Sequence, residues 1–188
     1  AVIKHVKDSL SNINFRLKSD WVYLQYHLNG GRDANYIDNV IEKNGITVRY
    51  KDWANSYKYV IIGLDKGIVS REDAEKIAMY NSVVSEVSKD TPNGVDSGTG
   101  KEYSAYQRIF EGLNDCDSDG QYKLAIADIV GMNGMLGGAV NHQDVMIQVG
   151  NYWWVNGYQP TLNKTDNPFT KLGVVYEAPT YDLSSHWR

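Results

Sequence analysis

The spacing of apolar residues changes period once along the chain, and that change limits the fold more than any other feature. In "VIKHVKDSLSNINFRL" (2–17), Val2, Val6, Leu10, Ile13 and Leu17 recur every three or four residues, which puts them on one helical face. "DANYIDNVIEKNG" repeats the pattern and stops at Gly45, and a third helical segment runs from Trp53 to Leu64. Ser70 precedes Arg71, Glu72 and Asp73, a hydroxyl followed by acids, so a helix is predicted to start there and continue through "AEKIAMYNSVVSEVS". Further on, "YSAYQRIFEGL" reads as a short helix, "YKLAIADIV" as a helix buried on most sides, and "GMNGMLGG" as a glycine-rich connector. Beyond it the period drops to two: "DVMIQVG" and "YWWVNGY" read as strands joined at Gly150-Asn151, with "KLGVVYE" as a third. Helices followed by an antiparallel sheet make an α+β chain, divided here into an N-terminal helical segment, residues 1–70, and a second domain, residues 71–188.

The 188 residues, 42% of them apolar, suffice for one substantial core. A net charge of −4 with scattered basic residues lacks the footprint that binding many phosphates requires, so no nucleic-acid partner is expected. No apolar run approaches the roughly 18 residues needed to cross a bilayer. The single cysteine, Cys116, rules out an intramolecular disulfide and the cysteine-rich zinc classes. "KDTPNGVDSGTGKE" (89–102) reads as an exposed loop. Its "GTGK" is not a phosphate loop, because Glu102 stands where Ser or Thr is required. No cofactor is implied. The chain starts at Ala1 without a methionine, which reads as a trimmed product, and an extracellular or cell-surface location is expected.

Acyl transfer from an amide needs a nucleophile, a base that activates it and protonates the leaving amine, and a group that orients the base. Cys116 stands just ahead of the buried helix, His142 opens a strand, and Asn156 follows across the Gly150-Asn151 turn at a comparable height. Taken singly, each has an ordinary reading: a lone cysteine is most often an inert buried residue, and a lone histidine a structural one. His5 and His27 fall on N-terminal helices and are read as structural, and His186 has no partner pattern. Asp144 and Asp166 are alternative orienters for the imidazole.

Residues 75–158, with "YSAYQRIFEGLNDC" leading into an apolar helix and then "NHQDVMIQVGNYWWVN", resemble the transglutaminase-like cysteine peptidase superfamily. The resemblance implies a transglutaminase-like (papain-like) core, its nucleophile at a helix N-terminus packed on an antiparallel sheet. It implies Cys116 as nucleophile, His142 as general acid and base, and Asn156 as orienter. Tyr103, Gln107 and Trp154 are expected to line the substrate site, and a side chain between Tyr103 and Gln107 to supply an oxyanion donor beside the Cys116 N–H. The implied substrate is a protein or peptide, with a cell-wall peptide as one form. The sequence departs from the family at Asp117, Ser118 and Asp119, where Gly and an aromatic are usual, at Gln143-Asp144, where Ala-Trp is usual, and at Asn156, where aspartate is usual.

Two rival readings follow from those departures. Asparagine cannot stabilise an imidazolium by charge, and acids beside Cys116 oppose thiolate formation, which together describe a binding module that keeps the fold without the chemistry. Asp115, Asp117, Asp119 and Gly120 also match the opening of an EF-hand calcium loop, although the closing position falls on Ile126, which has no side-chain oxygen. Of Trp153 and Trp154, alternation sends one into the core and the other outward.

Overall fold

The computed structural model describes residues 1–88, 103–113, 115–139, 142–150, 152–155 and 159–160. The expected loop at 89–102 and strand at "KLGVVYE" lie outside the described residues. The chain begins with α1 (Val2–Asn12), a 3-10 turn (Phe15–Leu17), α2 (Ser19–Leu28), α3 (Ala34–Glu42), α4 (Tyr50–Ser56), α5 (Lys58–Asp65) and α6 (Arg71–Ser88). A π-helical turn (Gln107–Glu111) and α7 (Cys116–Val130) follow. The chain then forms β1 (Gly134–Ala139), β2 (His142–Val149), β3 (Tyr152–Val155) and the two-residue β4 (Gln159–Pro160). The strands form one antiparallel meander in the order β1-β2-β3-β4, so the chain is α+β as expected.

Local chemistry sets most boundaries. Asp33 caps α3, its side chain accepting from the Tyr36 N–H at 3.1 Å, and Ser70 caps α6, its Oγ accepting from the Asp73 N–H at 3.0 Å. Several expectations need correction. The first helix ends at Asn12 because Ile13 is extended, and only a 3-10 turn continues the pattern to Leu17. The segment from Trp53 to Leu64 is two helices, interrupted at Tyr57, which leaves helical geometry with φ −96° and ψ 13°. α2 gave little signal of its own, since Trp21, Val22, Tyr23, Leu24 and Tyr26 spread around the helix. The glycine-rich connector is a strand: residues 134–139 pair with β2 from Gly134↔Ile147 to Ala139↔His142. The turn between β2 and β3 is as expected, with Val149 opposite Tyr152 and Gly150 at φ +60°, a conformation that suits glycine.

One core runs through the whole described structure. It includes Val6 of α1, Tyr23 and Leu24 of α2, Ile77 and Val83 of α6, Leu124 and Ile126 of α7, and Ile147 and Trp154 of the sheet. α1 packs on both α6 and α7, and α2 packs on α6, so the helices of residues 1–70 share that core with the elements that follow. Val130, at the end of α7, lines the same surface groove as Arg71 and Glu75 at the start of α6, so the two helices run antiparallel.

A polar junction ties α2 and α6 together. Tyr57 Oη donates to Asp20 Oδ1 at 2.5 Å and accepts from Asn81 Nδ2 at 3.0 Å. Burial raises the Asp20 carboxyl above its ordinary range, and the hydrogen bond from Tyr57 only partly opposes this. The folded protein therefore holds the Asp20 proton more tightly than the unfolded chain. Stability from this group is fully present below the ordinary carboxylate value and is lost as pH rises through the raised folded value. Urea melts across mildly acidic pH should show that decline in the native chain and its absence in Asp20→Asn, whose amide oxygen still accepts from Tyr57.

Candidate active site at the start of α7

Cys116 is the first residue of α7, one position inside the cap. Asp115 closes a reciprocal box: its Oδ1 accepts from the Ser118 N–H at 2.8 Å, and its own N–H donates to Ser118 Oγ at 2.9 Å. Asp115 Oδ2 also accepts from the Tyr103 N–H at 3.3 Å, which ties the segment leading into the π-helical turn to the mouth of α7. The Cys116 side chain is half-buried and in no disulfide.

The far end of α7 fixes how the sheet meets the helix. Gly131 takes φ +86°, and the Met132 N–H bonds back to the Ala127 carbonyl at 2.9 Å, a glycine stop that turns the chain back toward the helix. β1 then starts so close to α7 that a Cβ at Gly134 would lie 2.8 Å from Leu124 Cδ1. From that contact, the helix rises about 12 Å to Cys116. The strand rises about 17 Å to the Ala139↔His142 rung. The outermost rung of the ladder is thus the one farthest along β1 from the Gly134–Leu124 contact. In the register, residue 142 is in phase with Met146 and alternates with Val145, Ile147 and Val149.

The other anticipated residues fare differently. Asn156, Asp166 and His186 lie outside the described residues. Asp144 lies on β2, in phase with residue 142. Gln107 Oε1 accepts from the Ser104 N–H at 2.9 Å while the Gln107 N–H donates to Ser104 Oγ at 3.2 Å, so this side chain caps its own turn. Tyr103 is half-buried beside Asp115. Trp154 is the inward tryptophan, with no exposed surface, and pairs in register with Ile147. A substrate contact from Trp154 is thereby corrected, since its ring is core; Trp153 is the partly exposed member of the pair. His27 is buried beside the Trp53 ring, and burial first, then the Arg32 charge, lowers its pKa, in keeping with a structural histidine.

The calcium reading does not fit the backbone. Asp117, Asp119 and Gly120 belong to a continuous helix rather than a ligand loop, and Asp115 uses both carboxylate oxygens on backbone N–H groups. Asp119 is held by two cations, Arg108 Nη2 at 3.2 Å and Lys123 Nζ at 2.7 Å. Among the described residues no three His, Cys, Asp or Glu side chains converge on one point. Among them, too, no helix is long and apolar enough to cross a membrane.

Compared with family models, curated proteins and solved structures, the chain matches none. Sequence reading missed Arg108, which packs over the Tyr122 ring with Cζ 5.4 Å from its centroid. The only signal for it was an arginine one turn from Glu111 in a short amphipathic stretch, a pattern that ordinarily marks a solvated face.

Proposed function

We propose that the chain is a thiol-dependent acyl-transfer domain acting on an amide bond of a protein or peptide, a cell-wall peptide being one such substrate. In this reading Cys116 attacks the carbonyl carbon, His142 takes the thiol proton and returns it to the leaving amine, and Asn156 orients the imidazole through its side-chain carbonyl. Water or an acceptor amine then cleaves the thioester, with His142 as base. The supporting observation is the half-buried, disulfide-free thiol on the first residue of a fifteen-residue helix that packs on β2, the strand that begins at His142. A thiol at that position also receives the partial positive charge of the helix N-terminus.

A second reading, a peptide-binding module on the same architecture, is favoured by the acids at 115, 117 and 119 and by the ladder phase of residue 142. Labelling with a maleimide at neutral pH separates the two. Fast modification of Cys116, lost in His142→Ala, is the expected result; sluggish modification unaffected by that substitution removes the catalytic reading.

A further inference from the structure

Among the described residues Arg108 is the only lysine or arginine counted as buried, with 6% of its surface exposed. Its guanidinium meets Asp119, yet among the described residues its Nε, sealed from solvent, has no hydrogen-bond partner, and neither does the buried hydroxyl of Tyr122, whose ring it covers. A buried cation left partly unpaired is a poor way to gain stability, because the desolvation it suffers exceeds what one ion pair returns. Its position has a different use. Asp119 follows Cys116 by three residues, the spacing that makes helical neighbours, so whatever charge Asp119 presents is felt by the thiol.

We propose that Arg108 is a positioning residue for Cys116: by neutralising Asp119 from the buried side, it keeps the surroundings of the thiol less negative than the carboxylates of the helix start would make them. The inference deepens the acyl-transfer reading and rests on it. α7 itself carries Asp115, Asp117, Asp119 and Lys123, and the π-helical turn carries Arg108 and Glu111. α1 adds His5, edge-on to Phe110 at 5.7 Å. α6, which packs on α7, carries Glu86, ion-paired with Lys18, and β2, which also packs on α7, begins at His142. Arg108 is the one buried cation of this set.

The test is the pH profile of Cys116 alkylation by iodoacetamide in the full chain. Arg108→Gln should move the midpoint up by about half a unit or more, and Asp119→Asn should move it down. Arg108→Lys, which keeps the charge, should restore most of the native value, and the double variant Arg108→Gln with Asp119→Asn should return near it. Midpoints unmoved in Arg108→Gln and Asp119→Asn, each shown to be folded by circular dichroism, overturn the inference. Should Arg108→Gln fail to fold alone, the double variant is compared with Asp119→Asn: a higher midpoint in the double variant supports the charge effect of Arg108, and an equal one overturns it. A native midpoint no lower than that of an ordinary thiol, about 8.5, with both shifts present, retains the charge effect of Arg108 and removes the nucleophile reading instead.

Discussion

Trp154→Ala is expected to destabilise the protein by about 3–5 kcal/mol, which lowers the melting temperature by on the order of 10 °C in a chain of this size. Trp154 has no exposed surface and stands opposite Ile147, the rung that also carries Gly134 under Leu124 and Ala127. Alanine would remove the largest fully buried side chain between the sheet and α7 and leave a hole that backbone on both sides is too constrained to close. The neighbouring Trp153 is partly exposed and alternates to the other face, so Trp153→Ala should lose clearly less. Urea unfolding of the two variants gives the comparison directly. Equal losses would mean that the β3 register is not the one described.

His142→Ala should reduce the rate of acyl release by about a hundredfold to ten-thousandfold, the usual contribution of a positioned acid and base. p-Nitrophenyl acetate is a suitable probe, because its activated ester reports both acylation of Cys116, as a burst of nitrophenolate, and turnover of the thioester. The native chain should give a burst and slow turnover, Cys116→Ala neither, and His142→Ala a weakened burst with turnover near background. Asn156→Ala should fall between them, since loss of an orienting amide misaligns the base without removing it. A native chain that hydrolyses the ester no faster than Cys116→Ala ends the catalytic proposal. The α+β architecture is untouched by that outcome.

Much of the scaffold was legible because local rules and global fold agree. Ser70 with its acids announced α6, the apolar surface of "YKLAIADIV" announced a buried α7, and Gly150 announced the β2–β3 turn. β1 was not legible, because glycines at 134, 137 and 138 carry neither β-propensity nor alternation; its strand state comes from pairing with β2 and from the close approach of Gly134 to Leu124 and Ala127. The break at Tyr57 was hidden for a related reason. Its hydroxyl meets Asp20 and Asn81, partners distant in sequence, and tertiary contacts of that kind leave no periodic trace. At the candidate site, the sequence located the thiol at a helix mouth, and the structure moved it inside the helix because Asp115 takes the cap. Arg108 was invisible for want of any local rule that sends a lone arginine inward.

β2 is supported unevenly along its length. From Met146 to Val149 it is laced between two neighbours, whereas among the described pairs the stretch from His142 to Val145 bonds to β1 alone. The half of the strand that carries His142 is therefore aligned by its most glycine-rich companion, one with few side chains to resist slippage by a residue pair. A two-residue slip there would carry the imidazole's backbone anchor about 7 Å along the sheet, farther than any hydrogen bond could follow.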